Sequence, residues 1–196
     1  MYDVPYREAV GSLLFAARVS RPDIEFAVNI IKCQFLTCYE SEHWQAVKRV
    51  FRYLRGTTNH GIVYGNDESQ SVLKGYTDSD YAGCTETRKS TSGFVFILNN
   101  GTISWSSQRQ RVGALSTTEA EYVALAKGTQ EAVWLKRLCS EIGLEYPTIE
   151  MFVDNQSAIK LAGNPEFHKR TKHIDERYHY AREVSEQGDI VLKYTV

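Results

Sequence analysis

Neither sign of charge dominates this sequence: 23 lysines and arginines stand against 24 aspartates and glutamates, for a net charge of -1. A bulk positive field is therefore excluded as the means of holding nucleic acid, and any such binding must use local basic patches. Cysteine is sparse as well. Cys33, Cys38, Cys84 and Cys139 are scattered without a repeated pair, which argues against a disulfide framework and a zinc site and fits a reducing compartment. No apolar run approaches the roughly 20 residues that a bilayer span needs. The N-terminus has no signal-peptide stretch, and no repeats or low-complexity tracts interrupt the chain. These absences lead us to expect a soluble, intracellular protein with no membrane partner. With 42% hydrophobic residues among 196, it can bury one good core and a small second one.

Helical periodicity fills the first 60 residues or so. In EAVGSLLFAARVS, Ala9, Leu13, Ala16 and Ala17 fall on one stripe; Ser20 is a cap candidate, and Pro22 stands where a helix can restart. IEFAVNIIKCQF continues the pattern. SEHWQAVKRVFRYLRGT opens with the cap candidate Ser41, places Trp44, Val47, Phe51 and Leu54 at helical spacing, and stops at Gly56. Its other face carries Lys48, Arg49, Arg52 and Arg55, either a solvated face or a nucleic-acid contact.

Beyond residue 61 the period changes to that of strands. VLKGYTDSDYAG, SGFVFILNN and TISWSSQ read as short strands, and Asn99-Asn100-Gly101 makes a tight hairpin between the last two. A long helix from Thr117 to about Ile142 follows, with a possible break near Gly128. Then come a strand TIEMFVD, a short helix NQSAIKLAG, a charged helix from about Lys172 to Glu186, and a final strand DIVLKYTV. This order predicts an α/β domain: a mixed five-stranded sheet flanked by helices and preceded by a small helical subdomain.

Three acids stand in contexts that suit one shared site. Asp78 ends a strand in GYTDSDYAG, and Asp154 lies where the strand EMFVD gives way to a helix, the end of an open sheet at which ligands bind. The long helix offers Glu119 and Glu121, which at 3.6 residues per turn point roughly 200° apart. Glu121 shares its face with Ala124, Leu125 and Gly128, the small and apolar positions suited to packing on the sheet, so it is the candidate. Each acid has a plain alternative: Asp78 and Asp80 as turn residues, Glu121 as a surface residue, Asp154 as a helix cap. As an ordered set they point to a site. Three converging carboxylates repel unless a cation lies among them, and an all-oxygen donor set suits magnesium. Two such ions about 4 Å apart serve phosphodiester cleavage.

At this point the residues are recognisable. YREAVGSLLFAARVSRPDI, RYLRGT, YTDSDYAGC, RKSTSGFVFIL, ISWSSQRQ, STTEAEYVAL, FVDNQSAIKLAGN and HKRTKHIDERYHYARE together resemble the C-terminal part of the Pol polyprotein of Ty1/copia-type LTR retrotransposons. The resemblance covers essentially the whole chain. It implies the helical, thumb-like end of a reverse transcriptase over residues 1–65 and a ribonuclease H domain over residues 66–196. The activity implied is hydrolysis of the RNA strand of RNA/DNA hybrids. Its catalytic and metal-binding acids would be Asp78, Glu121 and Asp154, holding two Mg2+ ions with Mn2+ as a substitute. The implied partners are the hybrid and the rest of the polyprotein, and the implied location is the cytoplasm or a virus-like particle, with access to the nucleus. A catalytically weak or inactive nucleic-acid-binding remnant of the same origin is the alternative.

A fourth acid belongs to the ribonuclease H pattern, in a helix after the last strand. Asp175 precedes that strand and does not match, so the expectation is that this ligand and its helix lie beyond Val196. Ser116, Thr117 and Thr118 precede the helix acid where related domains touch the nucleic-acid backbone, with capping of that helix as the alternative. Gln156 is placed to reach a minor groove, with a solvent-facing position as the alternative. Arg109 and Arg111, with His168, Lys169, Arg170, Lys172 and His173, are candidates for a phosphate-binding rim. Trp44, Trp105 and Trp134 are expected in the core.

Overall fold

Tyr6, Val10, Leu13 and Ala17 recur at helical spacing and are all buried along one stripe of α1 (Tyr6–Val19). The expected stripe is thus rotated, with Ala9 and Ala16 only partly buried at its edge. The computed structural model describes residues 4–35, 39–65, 72–84, 87–163 and 179–195. The chain divides into two units, Met1–Val63 with Ser106–Arg109, and Tyr64–Trp105 with Gln110–Val196.

In the first unit a short 3-10 turn at Pro22–Ile24 leads into α2 (Glu25–Phe35), proline opening the turn where its missing N–H costs nothing. Helix α3 (Ser41–Gly56) is capped by Glu40 rather than by Ser41: the Glu40 side chain accepts from the third-residue amide, and the Glu40 amide donates to His43 Nδ1 at 2.8 Å. Val47 and Val50 are buried on α3, so Val50 takes the place expected of Phe51, which is 41% exposed. Tyr6 stacks on Tyr39 with centroids 4.5 Å apart, and Trp44 packs against this core. At the corner between α1 and α2, Arg21 pairs with Asp23 at 2.7 Å and donates to Thr57 Oγ1, tying the corner to the end of α3.

The second unit is built on a five-stranded sheet of order β3-β2-β1-β4-β5, formed by β1 (Lys74–Asp80), β2 (Thr91–Leu98), β3 (Gly101–Arg109, whose Ser106–Arg109 group with the first unit), β4 (Ile149–Val153) and β5 (Ile190–Tyr194). Strand β1 lies at the centre, antiparallel to β2 and parallel to β4, and β4 is parallel to β5. This is the mixed sheet that the sequence predicts. Asn99 (φ 50°) and Asn100 (φ 63°) both adopt positive φ, the two-residue turn whose twist suits a hairpin and which asparagine tolerates.

Helix α4 (Thr117–Glu141) runs unbroken for 25 residues and buries Ala120, Glu121, Ala124, Leu125, Gly128, Ala132 and Leu135. Gly128 is not the break the sequence suggests. A Cβ there would lie 2.4 Å from Thr77 Cγ2 and 3.1 Å from Met151 Cε, so the missing side chain lets the helix settle onto β1 and β4. Trp134 is 54% exposed rather than buried. Helices α5 (Gln156–Gly163) and α6 (His179–Glu186) contribute Ala158, Ala162, Ala181 and Val184 to the core around Leu73, Phe96, Leu125, Ile149 and Met151. The part of the charged helix expected before His179 falls outside the described residues, as do His168, Lys169, Arg170, Lys172, His173 and Asp175. No helix among the described residues is long and apolar enough to cross a membrane. Cys84 and Cys139 are both buried, and Cys84 Sγ accepts from the Thr87 hydroxyl at 3.0 Å.

Candidate metal centre

The last register pair between the parallel strands β1 and β4 is Thr77 with Val153. The next residue on each chain is an aspartate, so the pairing itself delivers Asp78 and Asp154 side by side at the carboxyl end of the sheet. On β1 side chains alternate, and Thr77, which meets α4 at Gly128, shares its face with Ser79. Ser79 therefore also looks towards α4. Its amide donates to Glu121 Oε1 at 3.1 Å and its hydroxyl to the same oxygen at 2.7 Å.

Through this anchor the helix acid meets the two strand acids: one carboxylate oxygen from each of Asp78, Glu121 and Asp154 lies within 4.8 Å of the others. Asp78 and Asp154 are exposed, whereas Glu121 is buried. Glu121 Oε2 is buried with no hydrogen-bond partner among the described residues. Burial pushes the Glu121 carboxyl up to about 7, the neighbouring charges of Asp154 and Asp78 add to the rise, and the Ser79 hydrogen bonds oppose it. A buried acceptor with no donor, beside two further carboxylates, is a costly arrangement on its own. It is the donor set that a hard divalent cation satisfies, with oxygen ligands only and one carboxylate oxygen left without a donor.

Glu119 takes no part in this cluster. It is buried, and its Oε2 accepts from the Leu115 amide at 2.7 Å, closing the start of α4 together with Ser116, whose Oγ accepts from the Glu119 amide at 3.1 Å. Ser116 thus caps α4, with Thr117 exposed and Thr118 half-buried behind it. Asn155 caps α5 by accepting from the Ala158 amide at 3.0 Å, which leaves Asp154 out of the cap that it was weighed for. Gln156 is exposed as the first residue of α5. Arg109 is half-buried at the end of β3, and Arg111 is exposed in the following loop, its carbonyl accepting from Lys89 Nζ at 2.9 Å. Sequence reasoning missed Ser79 as the residue that holds Glu121; the parity of β1 was the available signal.

No family model matches the chain. It is 48% identical over 98% of its length to the retrovirus-related Pol polyprotein from transposon TNT 1-94 of Nicotiana tabacum, of which it covers 14%. It is also 48% identical, over 69% of its length, to the secreted RxLR effector protein 161 of Plasmopara viticola, 94% of which is covered. Among solved structures, ribonuclease H1 from Halobacterium salinarum is 16% identical over 63% of this chain and 84% of that one, with a TM-score of 0.41, and at that score the likeness bears no part of the assignment. The chain spans about a seventh of the length of the Pol relative from tobacco and aligns along nearly all of itself. It belongs to the family of retrovirus-related Pol polyproteins of copia-type transposons.

Proposed function

We propose that the second unit is a ribonuclease H that hydrolyses the RNA strand of RNA/DNA hybrids within a retrotransposon Pol polyprotein, with Asp78, Glu121 and Asp154 as its catalytic, metal-holding acids. The observation that carries this reading is the approach of the three carboxylates to within 4.8 Å, with Glu121 Oε2 buried and unpartnered. Mg2+ fits this oxygen set, and when bound in a pair such ions activate water and stabilise the departing 3' oxygen. The residues supply the rest. Asp78 and Asp154 present exposed carboxylates at the sheet end, while Glu121 closes the cluster from the helix side and is held in place by Ser79.

Ser116, Thr117 and Thr118 open α4 beside the acids, which supports a role in holding the hybrid backbone, and exposed Gln156 at the start of α5 is placed for a minor groove. Arg109 and Arg111 offer cationic contacts for phosphate. In the first unit, exposed Arg49, Arg52 and Arg55 with half-buried Lys48 form a basic stripe on α3, consistent with a thumb-like end of reverse transcriptase over residues 1–65. Recognition of the hybrid by shape and by 2'-hydroxyls predicts low sequence specificity.

The test is a labelled RNA/DNA duplex incubated with Mg2+ or Mn2+ and either the 196-residue chain or a Pol polyprotein that carries it, each with and without Asp154→Asn. Cation-dependent cleavage of the RNA strand that is lost in Asp154→Asn is the expected result. Unimpaired cleavage by Asp154→Asn overturns the reading. Hybrid binding with no cleavage in either form replaces the enzyme by a nucleic-acid-binding remnant.

A further inference from the structure

Gln110 is 2% exposed, a costly place for a primary amide unless its hydrogen bonds are made. Its Nε2 donates to Ser92 Oγ at 2.8 Å and to the Ala120 carbonyl at 3.0 Å. The second acceptor belongs to the peptide that joins Ala120 to Glu121. The first belongs to a strand residue whose register partner on β1 is Ser79, the residue that holds the Glu121 carboxylate. Glu121 is therefore gripped twice from adjoining points of the sheet, by its carboxylate through Ser79 on β1 and by its backbone through Gln110 and Ser92 on β2.

Gln110 is itself fixed, since its amide donates to the Ser90 carbonyl at 2.8 Å, and Ser90 Oγ accepts from the Ala82 amide in the loop that follows β1. Ser90 and Ser92 are buried with it. Gln110 Oε1 has no partner among the described residues, so its side chain contributes through its two donated bonds. A core made only for stability is better served by an apolar residue than by a half-satisfied amide.

We infer that Gln110 is a positioning residue for the metal centre, setting the first turns of α4 against β2 so that the Glu121 carboxylate reaches Asp78 and Asp154. This rests on the proposed metal role of the three acids. Outer residues of this kind act through the ligand that they orient.

The test measures Mn2+ affinity of the 196-residue chain by electron paramagnetic resonance for Gln110→Met, which keeps the bulk and removes both donors, in the wild-type and Glu121→Gln backgrounds. Thermal melting of each variant reports folding. The expected result is about tenfold weaker Mn2+ binding in the wild-type background and less than about twofold further loss when Glu121 is already changed, because the two act as one unit. Equal losses in both backgrounds mean general softening of the fold and overturn the inference. Unchanged affinity in Gln110→Met beside a loss in Asp154→Asn overturns this inference alone, whereas unchanged affinity in both overturns the metal centre with it. Ser92→Ala, which removes one acceptor with little change of volume, carries the same comparison if Gln110→Met does not fold, with about threefold expected in place of tenfold.

Discussion

Ser79 donates to one oxygen of Glu121 twice, from its amide at 3.1 Å and its hydroxyl at 2.7 Å, and leaves the other oxygen buried without a partner. This asymmetry orients the carboxylate, turning the unpartnered oxygen away from Ser79. Removing the hydroxyl in Ser79→Ala leaves the amide bond in place and takes away one bond to a charged acceptor, worth about 1.5 to 3 kcal/mol. Cation affinity should fall by about tenfold to a hundredfold. Isothermal titration with Mn2+ checks this, and an unchanged affinity would show that the helix packing alone orients Glu121.

The raised Glu121 carboxyl also makes stability depend on pH in a defined direction. Its ordinary value of 4.5 rises to about 7 in the fold, so the folded chain binds the proton more tightly than the unfolded one. That contribution is fully present below about 4.5 and is lost as pH rises through about 7. Without cations, the unfolding free energy of the second unit should decline over this window by up to about 3 kcal/mol. Glu121→Gln should flatten the decline. Urea titrations at closely spaced pH values read it directly, and a slope that survives in Glu121→Gln would assign the dependence to other groups.

Cations should reverse that trend, because they bind the ionised form. Mn2+ affinity should rise with pH through about 7 as Glu121 gives up its proton. In saturating Mn2+ the melting temperature should increase, and Asp154→Asn should abolish most of the increase. Equal stabilisation of the wild-type and Asp154→Asn chains would place the bound ion elsewhere.

What the sequence made legible was local or periodic. The Asn99-Asn100 turn, the run of α4 from Thr117 and the placement of Asp154 just past β4 follow from residue types within a few positions, whereas β1 runs on past Asp78 to Asp80. What it left hidden depends on partners distant along the chain. Ser79 meets Glu121 across 42 positions and Gln110 meets Ser92 across 18, and no local pattern announces either pair. Gly128 illustrates the ambiguity: a helical glycine reads equally as a break or as a point of close approach, and only Thr77 and Met151 beneath it decide. Trp134 fails in the opposite sense, because its bulk suggests burial while its helix face is open.

Gly128→Ala follows from that close approach. The added Cβ would meet Thr77 Cγ2 at 2.4 Å, a separation that forces the helix or the strand to shift. Overpacking of this kind costs about 1 to 3 kcal/mol, which outweighs the gain of about 1 kcal/mol in helix propensity. Because Thr77 adjoins Asp78, the same shift should weaken Mn2+ binding. Thr77→Ser in the Gly128→Ala background removes the clashing methyl group and should restore part of both losses. A Gly128→Ala chain as stable as the wild type would mean that α4 can lift from the sheet freely.

The basic stripe on α3 predicts how the chain responds to salt. Arg49, Arg52 and Arg55 are exposed at spacings of about one helical turn, and among the described residues no ion pair neutralises them. Each phosphate contact releases about one counterion, so the logarithm of the binding constant falls linearly with the logarithm of salt concentration. Reversing Arg49 and Arg52 to glutamate should weaken binding of an RNA/DNA hybrid at low salt and make that slope shallower by about 2. The change should be the same for hybrids of different sequence, since phosphates carry no sequence information. Fluorescence anisotropy across a salt series measures both quantities. The acidic cluster provides the control: Asp154→Asn should leave the slope close to that of the wild type, because it removes no cation from the stripe. A slope unchanged by the double reversal would make the stripe a solvated face and remove α3 from the path of the hybrid.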